Sequence, residues 1–263
     1  MPDKAPARRA ERIAGNMDTS FLKLLALVFM LVDHMGVVIF PGVTEMRVIG
    51  RMALPLYAWC LVVGSVKTHN PARYLLRLAV LAAVSQPLYM MALNHRWGDL
   101  NIIFLLLLAA LAIQGIRARF MLSQIWAPAL CYLLLGFIDA DYGWRGLTFI
   151  LLLYLARESR AGLAATYMAF ALFWGVSSQQ VTQLFGQPLA FLSWPGLGYP
   201  LSALFRLQGM VWLSLPLILW PTHTGLRMPK WVGYGLYPLH LVALIVMRVA
   251  LCGVEPSLLL SGF

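Results

Sequence analysis

Apolar runs long enough to cross a bilayer recur along the whole of this chain, and nothing else in it restricts the fold so tightly. A helix needs roughly 20 apolar residues to span about 30 Å of hydrocarbon. In that solvent every backbone N–H and C=O must be paired, which leaves only helices and closed barrels. The runs lack the apolar/polar alternation of barrel strands, so helices remain. With 61% hydrophobic and 11% charged residues and a mean hydropathy of +0.77, the chain lies far from a soluble balance. The expected fold is all-α, a polytopic integral membrane helix bundle.

Nine spans are predicted, at about 21–40, 47–66, 74–93, 101–117, 120–138, 144–157, 161–176, 200–220 and 231–251. Residues 1–16 are polar and basic (Lys4, Arg8, Arg9, Arg12) and read as a cytoplasmic tail. No small-residue cleavage site follows the first span, so no cleaved signal peptide is expected and the first helix should stay; residues 17–263 read as a single transmembrane domain. Lys and Arg in short loops stay on the cytoplasmic face. One alternate set of connections holds Lys67 to Arg73, Arg117 with Arg119, Arg157 with Arg160, and Arg227 with Lys230, together with the tail. The opposite set holds Glu45, Asp99, Asp139 and Asp141, with Arg96 as its main basic member. The amino terminus is therefore expected inside and Phe263 outside. The net charge of +10 reflects this asymmetry and attraction to anionic lipid, so it gives no reason to expect nucleic-acid binding.

Cys60, Cys131 and Cys252 fall within or at the end of spans with no CxxC spacing; buried apolar thiols are expected, with no disulfide framework and no metal. No internal repeat is visible. The polar interruption from Ser177 to Gly186, and the Pro- and Gly-rich stretch through Pro200, read as an external or re-entrant loop near an acceptor.

Against this background the polar residues inside spans are the chemical content of the chain. Asp33 and His34 adjoin near the middle of the first span, Arg51 lies in the second, Arg145 begins the sixth, Arg206 lies in the eighth and His240 in the ninth. Ionisable groups at that depth cost roughly 2.5–3.5 kcal/mol each and face a bundle interior or a wet cavity. Neighbours on a helix point about 100° apart, so Asp33 cannot simply orient His34. Pairing of Asp33 with Arg51 or Arg145 would neutralise the carboxylate and leave His34 to act as a base. Two alternatives stay open. The pair is a structural lock between helices, or it is the proton relay of a membrane transporter, although no duplicated half with broken helices is visible. His240 has a packing role as its competing reading, and His69, His95 and His223 lie in or near loops as solvated side chains.

The stretches FLKLLALVFMLVDHMG (Phe21 to Gly36), IGRMALPLYAWCLVVG (Ile49 to Gly64) and THNPARYLLRL (Thr68 to Leu78) resemble the TraX family. Ser85 with Pro87, Asn101 with Phe104, DYGWRGL (Asp141 to Leu147) and YPLH (Tyr237 to His240) continue the match in family order. Two departures are Leu105, where the family usually has threonine, and Val63 before Gly64 in place of an acidic residue.

The resemblance implies a multi-pass protein of the bacterial cytoplasmic (inner) membrane that transfers an acyl group from acetyl-CoA, as in amino-terminal acetylation of pilin. It assigns the charged motif positions to Asp33, His34, Arg51, Arg145 and His240, and a cytoplasmic pattern to Asn70, Arg73, Tyr74 and Arg77. An anionic coenzyme should meet the inner basic loops, with Arg73, Arg77, Arg117 and Arg119 nearest its phosphates. An acceptor, whether a protein amino terminus, an amine or a sugar hydroxyl, would enter from outside and lose its proton to His34. Arg51 or Tyr57 would stabilise the oxyanion. Direct attack in a ternary complex and an acetyl-histidine intermediate both remain open.

Overall fold

The computed structural model describes residues 11–254, apart from 195 and 197. Lys4, Arg8 and Arg9 of the expected tail, and Phe263, lie outside the described residues. The chain is helical almost throughout. It runs α1 (Thr19–Val38), α2 (Thr44–Gly50), α3 (Ala53–Lys67), α4 (Pro71–Leu93), α5 (Ile102–Ala118), α6 (Ser123–Leu135), α7 (Gly143–Ala156), α8 (Arg160–Val176), α9 (Gly198–Leu204), α10 (Leu215–Leu219) and α11 (Lys230–Cys252). Two short strands, β1 (Asp99–Leu100) and β2 (Asp139–Ala140), pair in parallel and tie the α4–α5 connection to the α6–α7 connection.

Among the described residues four segments are long and apolar enough to cross a membrane: Thr19–Val38, Thr44–Lys67 (α2 and α3 joined through a turn), Pro71–Leu93 and Trp231–Cys252. Helices α5, α6 and α7 are apolar but shorter. The eighth expected span, 200–220, is not one helix. It is α9, a 3-10 helix over Gly209–Ser214, and α10. Close backbone approach explains the break: a Cβ at Gly209 would overlap the Ala203 carbonyl, so the chain folds back on itself there. Pro216, lacking an N–H, opens α10.

Burial follows sequence spacing. On α1 the buried residues Leu22, Ala26, Met30, Asp33 and Gly36 recur every three or four positions, forming one inward stripe. That stripe carries Asp33 to the interior and sets His34 to its side. Helix α3 is buried on nearly all faces and forms the centre of the bundle, with Trp59 fully enclosed. The opposite pattern appears on α4, where Leu76, Val80 and Val84 stand exposed four residues apart as a lipid-facing stripe.

The connections sort by charge into two ends. At the basic end Glu11 pairs with Arg117 at 2.8 Å and with Arg157 at 2.9 Å, and Arg160 donates to the Ala14 carbonyl. Residues 11–16, expected as tail, thus lie as a strap across this end. Asn16 is fully buried, donating to Leu217 O and Thr222 Oγ1, each at 2.9 Å. At the acidic end Gln86 accepts from the Asn101 backbone and side chain and donates to Asp99 O at 2.8 Å, which fastens β1 to α4. Asn101 also caps α5 through Ile103 N, so its motif position has a local structural cause. Of the cysteines, Cys60 and Cys131 are buried, but Cys252 is exposed at the last turn of α11, a correction to the expectation for all three.

Candidate functional site

Two polar chambers lie inside the bundle, one toward each end. The acidic-end chamber, about 240 Å³, is lined by Asp33 and His34 from α1, Arg47 and Gly50 from α2, Arg51, Tyr57 from α3, and Tyr89, His95, Asp141, Tyr142 and Tyr237. The basic-end chamber, about 570 Å³, is lined by Lys23, Tyr57, Gly64, Lys67, Asn70, Arg73, Tyr74, Arg77, Tyr234 and Tyr237, among others. Tyr57 and Tyr237 belong to both linings, so the two chambers meet at a tyrosine partition.

Asp33 is the hub of the first chamber. Arg51 Nη2 donates to both of its carboxylate oxygens, at 2.7 and 2.9 Å, and Arg47 Nη1 donates to Oδ2 at 2.6 Å and to the Asp33 backbone oxygen at 3.2 Å. The pairing expected with Arg51 or Arg145 is thus with Arg51, and Arg47 joins it. Arg47 was legible only as a one-turn neighbour, since Arg51 N bonds Arg47 O and both side chains leave the same face. Two guanidiniums on one carboxylate leave net positive charge beside His34. Helices α1 and α2 approach closely enough for this because Gly50 has no side chain: a Cβ there would overlap the Asp33 carboxylate.

His34 faces the chamber and stacks on His240 with ring centroids 5.4 Å apart at 25°. His240 in turn meets the Tyr237 ring edge-on at 5.0 Å. His34 Nδ1 and Arg51 Nε are buried without a hydrogen-bond partner among the described residues, and both residues line the chamber. Buried polar atoms are nearly always paired, by protein or by water, so these two are available to a polar guest.

The same chamber is lined by His95 and Asp141, which the sequence places in connections. His95 is not a solvated bystander. It stacks on Tyr89 at 4.8 Å and 4°, and its Nδ1 lies 3.3 Å from Asp99 Oδ2. The Arg96 N–H bound to Asp99 at 2.9 Å, more than the His95 contact, holds that carboxyl below the usual range. Asp141 shows the reverse. Burial in the α6–α7 connection pushes its carboxyl up to about 6, although the Arg51 guanidinium pulls the other way. Tyr142 sits next to it in the left-handed backbone region at φ 65°, and Arg51 lies 5.9 Å from its ring centroid. For a bulky side chain that conformation is strained, as is common where a wall residue must be aimed. Both residues belong to the DYGWRGL motif, whose arginine lies elsewhere.

The remaining expected residues divide cleanly. Asn70, Arg73, Tyr74 and Arg77 all line the basic-end chamber. Asn70 is the N-cap of α4, accepting from Arg73 N at 3.0 Å with Pro71 behind it, so the positive end of a 23-residue helix opens on that chamber. Tyr74 Oη would lie 3.0 Å from a Cβ on Gly64, and Arg77 lies 5.9 Å from the Tyr234 ring centroid. Arg145 lies elsewhere: it donates to Ser177 Oγ at 2.8 Å and rests over Trp144. Arg117 is spent on Glu11, on the Ser65 and Val66 carbonyls and on Gln114, while Arg119 ends α5 in the left-handed conformation. Neither lines the chamber. Arg206 donates to the Val176 and Ser178 carbonyls where α8 ends. No group of three or more metal-ligating side chains occurs among the described residues.

Apolar helices closed around charged chambers define a helical membrane protein with polar groups inside its bundle. The chain belongs to the TraX protein family, whose profile matches residues 18–248. It is 28% identical over 176 residues to the probable fimbrial assembly protein FimC, serogroup H1, of Dichelobacter nodosus, covering 61% of this chain and 72% of that protein. It is 26% identical over 149 residues to the uncharacterized protein RP591 of Rickettsia prowazekii (strain Madrid E), covering 54% of this chain and 57% of that protein. No solved structure matches.

Proposed function

We propose that this protein is an acyltransferase of the bacterial cytoplasmic membrane that moves an acetyl group from acetyl-CoA to an amino-terminal amine, a pilin-type protein being the acceptor class that the family and the fimbrial relative suggest. The observation that carries the reading is the pair of chambers meeting at Tyr57 and Tyr237. One is bounded by cations, and the other holds an imidazole beside an unpartnered guanidinium N–H, Arg51 Nε. By the positive-inside rule the basic end is cytoplasmic.

The basic-end chamber suits an anionic coenzyme. Lys23, Lys67, Arg73 and Arg77 supply charge for phosphates, and the α4 N-terminus adds its dipole. Acetyl-CoA supplies an activated thioester. In the acidic-end chamber His34 takes a proton from the attacking amine. Arg51 Nε–H and the Tyr57 hydroxyl are the donors available to the developing oxyanion; losing such a donor costs about 2.7–4 kcal/mol of barrier. Asp33, held by both arginines, keeps Arg51 in position, and His240 packs behind His34 as a positioning residue. A proton-coupled transporter would use the same buried groups, but it requires no coenzyme site.

The test is acetyl transfer from acetyl-CoA to a peptide with a free α-amino group, run beside a CoA-dependent thermal shift of the purified protein. His34→Gln should lower transfer by about 10²-fold or more, the range of a positioned base, and keep the CoA shift. No CoA shift in the wild-type protein would remove the donor, and full turnover in the variant would remove His34.

A further inference from the structure

We propose that the Asp99–His95 pair is a second acid–base group of the acidic-end chamber, taking the proton that an ammonium acceptor must lose before it can attack and releasing it to solvent. The inference rests on the acyl-transfer reading above, and it starts from proton balance. An ammonium nitrogen has no lone pair, so one proton leaves before the N–C bond forms. A second leaves nitrogen as the C–S bond breaks, and it ends on the thiolate sulfur. The third stays as the amide N–H. One proton per turnover is therefore left over, and a base that moves a proton from nitrogen to sulfur does not dispose of it.

His34 is placed for the nitrogen-to-sulfur transfer, deep on α1 beside two guanidiniums. His95 is placed for the other. Its side chain is 40% exposed, yet it lines the same chamber as His34, so it touches both the site and the water outside. The chamber, about 240 Å³, is large enough to hold several waters beside both imidazoles. Nδ1 is turned to Asp99, which orients the ring and leaves Nε2 as the working nitrogen. The support is rigid: Tyr89 stacks flat on the ring, Arg96 N–H fixes the carboxylate, Gln86 holds Asp99 O, and β1 is paired to β2.

The charges around His95 suit this role. Around the same chamber stand Asp33 with Arg47 and Arg51, His34, and Asp141 beside Tyr142. On its own segment are Asp99, Arg96 and Tyr89, with Asp139 in register with Asp99 on β2 and Tyr237 reaching the chamber from α11. Arg248, also on α11, is turned to the Met91 and Ala92 carbonyls at the end of α4. Asp33 is saturated by its two arginines and His34 serves the nitrogen-to-sulfur transfer, so the acceptors left for the first proton of the arriving ammonium are His95 and Asp141.

Acetyl transfer to a peptide with a free α-amino group, measured at pH 7 and pH 9, tests this. An α-amine has a pKa of about 7.7–8.0, so it arrives charged at the lower pH and neutral at the higher. His95→Gln should be slower than wild type by about tenfold or more at pH 7 and should come within about threefold at pH 9, where the proton is already gone. Asp99→Asn, which keeps an acceptor for Arg96 N–H, should show the same pattern more weakly and carries the test if the first variant misfolds. His34→Gln should not recover at pH 9. A deficit in both dyad variants that is equal at the two pH values, or no deficit at pH 7, would overturn the inference. Absence of transfer by the wild-type protein would instead sink the acyl-transfer reading and this inference with it.

Discussion

Asp141 shows how one side chain can report the character of the chamber. Its carboxyl is pushed up to about 6 by burial, against the pull of Arg51, so the folded protein holds that proton more tightly than an unfolded chain would. The sign follows: between the ordinary carboxylate value of about 3.9 and 6, the folded state binds more protons, and stability falls as pH rises through that window. Above it the ionised carboxylate sits at a cost that asparagine does not incur. Asp141→Asn should therefore gain thermal stability relative to wild type at pH 8 and much less at pH 5. Melting both proteins in the same detergent at the two pH values checks it, and an equal difference at both would mean that the carboxylate is solvated. The same depth argument made Asp33 and His34 legible from sequence, because a charged pair inside an apolar run has few places to go. It could not reach His95 or Asp141. Both sit in connections, where a polar side chain is unremarkable until a tertiary wall is seen in front of it.

The contact between α1 and α2 depends on what is missing from two positions. Beyond the overlap at Gly50, a Cβ at Gly36 would stand 2.8 Å from that of Met46. Small residues let membrane helices approach in this way. Here the approach delivers Arg47 and Arg51 to Asp33. Gly50→Ala should push α2 away, costing about 1–3 kcal/mol as overpacking does, and loosen the triad so that activity falls with stability. Gly42→Ala, whose Cβ would meet nothing within 4 Å, is the matched control and should be neutral in both measurements. A Gly50→Ala protein that melts and turns over like wild type would show that the close approach is not required. The Gly-Arg pair was visible in the sequence. Its reason was not, because the partner of the glycine is a carboxylate on another helix.

In the molecule as a whole, the sorting of charge into a basic and an acidic end makes a directional reading possible. Two arginines at the basic end test whether the chamber or the general field matters. Arg73→Glu should weaken CoA binding, and more so at low salt where charges are least screened. Arg119→Glu makes the same change in net charge outside the chamber and should leave affinity nearly unaltered. Titrating CoA against both variants at two ionic strengths decides it, and equal losses would point to a diffuse field. Hydropathy, with the absence of barrel-strand alternation, determined that this chain is a helical membrane protein, because only helices and closed barrels pair every backbone group in hydrocarbon, and the alternation of basic and acidic loops determined which connections share an end. Tertiary structure decided the rest. It chose Arg51 over Arg145 for Asp33, drew Arg117 into a clamp with Glu11, broke the 200–220 segment, and brought His95 into one chamber with His34. Those outcomes depend on which helix faces meet, and that is a matter of close packing between segments far apart in the chain.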